Sequence, residues 1–509
     1  MKKHLLLIGI LILSVLGGCA NATDKNGGAD SNEPTQGGSI VIGIPQDLDS
    51  LDPHIAKAAG TDEVLFNVFE GLVKPDQYGK VNPAVAESYS LSEDSMKYVF
   101  VLRDNVKFHN GDVVTTEDVV YSLRRCAGFE DALDPSVTVE SAFSIIKDIY
   151  ATDNKTVVVE LTAPSTELIY YFTTAIIPKN YKNQATAPVG TGPYKFVSYT
   201  PLESFVVEKF QDYYGTKPYL DKVTFSIYAN IDAAFLELMA GKIDLMSQLS
   251  SDQAAQLTSI YNVVYSNFNL VQALFLNNDF EPFKNPDVRK ALCMAINRDE
   301  INQMISDGHG TIIGSGVFPG LSTIFAGDLV NYYKFDQAAA KKLLADAGYP
   351  DGFSFTITIP SSYDQHVATG EVIVEQLKKI GVTAKIELVE WSAWLSEVYS
   401  GRKYESTIIG LDANLAPGDV LKRYRSTAGN NFINFISEEF DVTYASALAS
   451  QSDAEKAELY KKCQNILTEN AASVYIQDPA QITVVKKGLG GYTPYPVYVM
   501  DISKLYYVK

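Results

Sequence analysis

Three times in this chain a run of helix-periodic apolar residues stops on a glycine, with short β-rich segments in between, and that alternation leaves few architectures open. Residues 231–240, 337–347 and 367–380 carry apolar side chains at helical spacing and end at Gly241, Gly348 and Gly381. Glycine most readily takes the left-handed conformation that closes a helix. Residues 223–228, 353–359 and 383–389 are short and rich in β-branched and aromatic residues, which predicts strands. Strands alternating with helices imply an α/β fold with open, twisted sheets. Residues 39–44 read as a buried strand that opens the globular body, residues 62–69 as helical, and residues 99–102 as a further strand. After the turn Asn110-Gly111-Asp112, Thr116 reads as the hydroxyl cap, and Glu117 and Asp118 as the acidic first turn, of a helix through Arg125.

The first residues send this body out of the cytoplasm. Lys2 and Lys3 precede an apolar run from Leu5 to Leu16, then Gly17, Gly18 and Cys19. A positive start, a short apolar stretch and small residues before a cut describe a secretory signal, and the run is too short for a good membrane span. Residues 16–19 resemble the lipobox of bacterial lipoproteins, which implies removal of residues 1–18 and a lipid on Cys19. Residues 20–38 are polar and glycine-rich, the composition of a solvated tether. No later stretch has the length and apolarity of a transmembrane helix.

Loss of residues 1–18 leaves 491 of 509 residues, enough for two or three domains. It also removes Lys2 and Lys3, so 40 basic residues face 61 acidic ones and the net charge is about −21. Such a surface repels phosphate backbones, which excludes nucleic acid as a natural partner, and it offers no basic patch to a membrane.

Signatures of catalysis are missing. The five histidines, His4, His54, His109, His309 and His366, form no i, i+4 pair, and there is no nucleophile elbow, Walker sequence or dinucleotide-binding glycine pattern. His109 beside Asn110-Gly111-Asp112 reads as a turn filler. Cys126, Cys293 and Cys463 stand far apart with no metal-ligand spacing, and spacing does not decide whether two of them pair.

What does stand out is an ordered series of short segments: 70–72, 83–88, 98–103, 106–111 and 116–119, then Gly190-Thr191-Gly192-Pro193-Tyr194, 241–244, 285–292, 340–349 and Glu390-Trp391. Together they resemble the peptide-binding lipoproteins that feed ABC importers, the oligopeptide/dipeptide class of extracellular solute-binding proteins, family 5. The resemblance runs from about residue 39 almost to the C-terminus. It implies a type II periplasmic-binding-protein-like α/β fold of two lobes with a hinge. Lobe I would comprise residues 39–60, 190–270 and 483–509, lobe II residues 271–482, and an inserted subdomain residues 61–189.

The same resemblance implies an interlobe site. Family members carry Gly-Trp-x-x-Asp before a proline, its carboxylate taking the peptide's ammonium group. Here the stretch is Gly410-Leu411-Asp412-Ala413-Asn414-Leu415-Ala416-Pro417, with Asp412 as the available carboxylate, one position early, and Leu411 in place of the Trp. The other reading of Asp412 is a turn cap. Trp391 matches a tryptophan that lines a side-chain pocket, and Trp394 follows at i+3, a spacing equally typical of core. Where dipeptide-preferring members carry Arg-Pro-Tyr this chain has Ser361-Ser362-Tyr363, which argues against a strict dipeptide length and leaves Tyr363 as a ligand contact. Gly60, Gly410, Leu411 and Ala413 complete the expected ligand-binding set. The resemblance further implies a monomeric, non-enzymatic binder with permease subunits as partners and no cofactor. Its alternatives are the same fold carrying a nickel chelate, haem or an oligosaccharide, a pheromone receptor and, last, an exported hydrolase.

Overall fold

The structure is a computed structural model that describes residues 33–137, 139–412 and 415–509. The leader, Cys19 and most of the expected tether lie outside the described residues. The tether ends earlier than expected: Pro34–Thr35 pair antiparallel with the C-terminal strand Tyr506–Val508, and Thr35 Oγ1 donates to Tyr507 O at 2.8 Å.

A seven-stranded mixed sheet combines strands from residues 39–44, 194–267 and 480–486. Its order is Tyr261–Asn267, Ala480–Lys486, Leu245–Met246, Ser39–Ile44, Lys222–Ile227, Ser204–Lys209 and Tyr194–Thr200. Ser39–Ile44 runs parallel to Lys222–Ile227 and to Leu245–Met246. A six-stranded sheet has the order Thr311–Ile312, Ser473–Asp478, Val271–Leu276, Ser406–Leu411, Ser354–Pro360 and Thr383–Val389. The pattern of two shows at its centre. Ala273 and Phe275 enter the core that holds Trp394 and Tyr424, whereas Leu274 and Leu276 enter the opposite core with Phe283, Leu292 and Ile373. A sheet covered on both faces explains why this strand reads as unbroken apolar sequence.

Two short crossings join these sheets. Residues 268–270 lead out, and Pro479 leads back, so residues 480–482, expected with lobe II, already pair in the seven-stranded sheet. The crossings touch: Phe268 N donates to Pro479 O at 3.0 Å and Leu270 N to Asp478 Oδ1 at 3.1 Å.

Between Ile44 and Tyr194 the chain builds a separate four-stranded antiparallel sheet, ordered Ala86–Leu91, Lys97–Leu102, Thr156–Leu161 and Ile146–Ala151. Its helix Thr116–Ala127 is capped by Thr115 rather than Thr116. Thr115 Oγ1 accepts from Asp118 N, Asp118 Oδ2 accepts from Thr115 N, and Thr116 is buried. An acidic residue three positions on selects the cap, and that residue is Asp118. His109 does fill a turn: its Nδ1 accepts from Gly190 N at 3.3 Å and its Nε2 lies 3.0 Å from Gly192 O. Gly190 and Gly192 let the same loop pack on the backbone of residues 67–68, since a Cβ on either would lie 2.2 Å from Val68 O or 2.5 Å from Asn67 O. Arg125 joins the four-stranded body to residues 52–54 through Asp52 at 3.0 Å and His54 at 3.1 Å. Cys126, Cys293 and Cys463 are free and buried, and burial pushes each thiol up to about 12.

Candidate functional site

Strand Ser406–Leu411 lies inside the six-stranded sheet, and Asp412 leaves its C-terminal end, where ligands of open α/β sheets collect. The strand end is held from below. Gly410 N donates to His366 Nε2 at 3.0 Å, and His366 Nδ1 lies 2.9 Å from Gln272 Nε2. Burial lowers the His366 pKa to about 4, so the ring is neutral and its Nε2 can accept.

Asp412 faces a residue from the far end of the chain. Its Oδ2 accepts from Tyr498 Oη at 3.0 Å, and its backbone carbonyl accepts from Arg423 Nη2 at 3.0 Å. Burial, with Asp412 second, pushes the Tyr498 phenol well above its ordinary value, so it stays a proton donor at neutral pH. Asp412 lines a cavity of about 650 Å³, together with Asp62, Phe66 and Tyr171 from the first 175 residues and Lys422, Arg423 and Tyr498 from the last 100. That volume is in the range of sites for small organic ligands. A smaller recess with Glu63 and Tyr495 adjoins it at Asp412 and Tyr498 and reaches the crossing at Phe268 and Asn269.

The floor of the cavity is closed by an ion pair, Lys74 Nζ to Glu70 Oε1 at 2.8 Å, with Tyr213 Oη donating to the same oxygen at 2.7 Å. Above it are carboxylates of another kind. Asp62 and Glu63 make no side-chain hydrogen bond or ion pair among the described residues. Burial raises Asp62 to about 6, helped by Asp49, and Glu63 to about 7, helped by Asp62. Between pH 4.5 and 7 the folded protein therefore keeps a proton on Glu63 that the unfolded chain has released, so stability falls as pH rises through that window. Replacing Glu63 with Gln removes the penalty. The variant's melting temperature, relative to that of the unsubstituted protein, rises between pH 5 and pH 8, and an equal difference at both pH values contradicts the assignment.

The expected ligand set divides. Tyr363 and Trp391 meet edge to face, with ring centroids 5.5 Å apart, and form a half-exposed aromatic shelf; Asp412 contributes to raising the Tyr363 phenol. Trp394 does not join them at the surface. It is 2% exposed, stacks on Trp391 from beneath at 5.1 Å and donates Nε1–H to Thr407 Oγ1 at 2.9 Å, so as a direct ligand contact it is corrected to core. Gly410 and Leu411 carry Asp412 as strand backbone; Leu411 turns into the core. Gly60 lies in the helix Ala59–Leu65, where a Cβ would strike the end of the Gln46 side chain at 1.9 Å. Ala413 lies outside the described residues. Asp62, Glu63, Arg423 and Tyr498 were not legible, because each sits in a segment whose own pattern only describes a helix end or loop.

The family model for bacterial extracellular solute-binding proteins, family 5 Middle, matches residues 80–432. The chain belongs to that family. Family 5 solute-binding proteins similar to it include the oligopeptide-binding protein AppA of Bacillus subtilis, 24% identical with 97% of each chain covered. Among solved structures, the ABC transporter substrate-binding protein CtaP of Listeria monocytogenes is 26% identical with a TM-score of 0.82, covering 93% of this chain and 100% of that one. The periplasmic binding protein DppA of Helicobacter pylori, solved with the peptide STSA, is 27% identical with a TM-score of 0.73, covering 93% and 99%. The family places the chain among extracytoplasmic solute-binding proteins, and among the described residues no helix is long and apolar enough to cross a membrane.

Proposed function

We propose that this protein captures oligopeptides between its sheets and delivers them to the membrane subunits of an ABC importer, without chemistry on the ligand. One observation carries the reading: Asp412, at a strand's C-terminal end, meets Tyr498 from the other body at 3.0 Å, and both line a cavity of about 650 Å³. An ammonium group placed there gains a charge-assisted bond in a closed site. The peptide named in the DppA complex and the name of AppA support the ligand class. An extended peptide would lie like an added strand, its side chains in wet pockets, which gives affinity with little sequence preference. Closure turns on the adjoining crossings at 268–270 and 479.

Native mass spectrometry of the freshly purified protein tests this reading. Retained masses that fragment as peptides are expected; a sugar, haem or metal chelate contradicts it. The protein acts as a monomer tied to the outer face of the membrane by the lipid on Cys19. Cys19→Ser should release it into the medium or periplasm, and continued membrane association would count against the anchor.

A further inference from the structure

Carboxylates outnumber lysines and arginines by 61 to 42 in this chain, so a cation that lacks an acidic partner inside a cleft is conspicuous. Lys422 and Arg423 both line the cavity that holds Asp412, and among the described residues neither forms an ion pair. Arg423 is held in place all the same. Its Nη2 donates to the backbone carbonyl of Asp412 at 3.0 Å, whereas its Nε is buried and has no hydrogen-bond partner among the described residues. The nearby carboxylate that might have neutralised it, Asp419, is turned to Tyr171. A buried guanidinium N–H is seldom left unmade, and the planar fork of Arg matches a carboxylate with two parallel bonds.

We propose that Arg423, with Lys422 beside it, binds a carboxylate of the ligand. The inference rests on the cleft's being the peptide site and adds the second charge the ligand must carry. Because Arg423 is tied to the backbone carbonyl of Asp412, the anion that takes an ammonium group and the cation that takes a carboxylate line the same cavity. Such a pair reads a short zwitterionic chain, or an acidic side chain close to the peptide's N-terminus.

Calorimetric titration separates these sources. Trialanine, trialanine amide and alanyl-glutamyl-alanine amide are the probes, applied to the mature protein and to Arg423→Gln and Arg423→Lys. Trialanine should bind at least tenfold more tightly than its amide, and Arg423→Gln should bring that ratio close to one. Arg423→Lys, which keeps the charge, should retain part of the preference. Recovery of affinity by the amidated glutamyl peptide assigns the carboxylate to a side chain, and no recovery assigns it to the C-terminus; both keep it at Arg423. Equal binding of trialanine and its amide, or an equal loss of both in Arg423→Gln, overturns the proposal and leaves Arg423 as a loop clamp. If no probe binds the unsubstituted protein, the peptide reading itself fails and the proposal falls with it.

Discussion

Trp394→Ala should lower the unfolding free energy by about 3–5 kcal/mol, the cost of emptying a large aromatic site in a packed core. The side chain is 2% exposed and sits among Phe432, Tyr399 and the lobe core around Phe275. Its indole N–H also serves a polar chain, donating to Thr407 Oγ1, which in turn donates to Thr358 O at 2.6 Å on the neighbouring strand. Truncation therefore removes apolar contact and a buried hydrogen bond together. Trp391→Ala is the control. That ring is 39% exposed, so its removal should cost about 1 kcal/mol or less, although it strips the shelf beside Tyr363. Urea unfolding measures both, read as a shift in midpoint at constant slope. Equal losses for the two tryptophans would contradict the division between core and surface.

Asp412→Ala should weaken peptide binding by more than tenfold, over about 1.4 kcal/mol, while leaving the melting temperature nearly unchanged. The side chain is exposed to the cavity, and among the described residues its one hydrogen bond is from the Tyr498 hydroxyl at 3.0 Å. Removing a carboxylate that pairs with a ligand ammonium strands that charge in a closed cleft, and such truncations cost most when the partner is desolvated. The expected loss is specific. N-acetylated peptides, which carry no ammonium group, should bind the variant and the unsubstituted protein alike. An unchanged dissociation constant for free-amine peptides would remove Asp412 from the site.

How much of this was legible in the sequence follows from what each residue depends on. Local rules suffice for Gly241, Gly348 and Gly381, each at positive φ past a helix, and for strand 383–389, whose pairing partner 354–360 is one helix away. Thr115 was misassigned to its neighbour because two adjacent threonines precede the helix and only the position of Asp118 decides between them. Trp391 and Trp394 share one segment, and their i, i+3 spacing does put both on one side, but the rings stack at 5.1 Å so that the outer one stays exposed and the inner one is buried, a depth that spacing does not give. Asp412 was found through the ordered motifs around it. Tyr498 lies 86 positions from its partner and Glu63 meets the site from the opposite end of the chain, so no spacing rule could pair them.

The central claim is that two bodies swing together around a peptide, and small-angle scattering during a peptide titration tests it most directly. With a mixture of tri- to pentapeptides added to the mature protein, the account predicts a fall in the radius of gyration that saturates along with the binding heat. Heat without compaction, or neither, would contradict it.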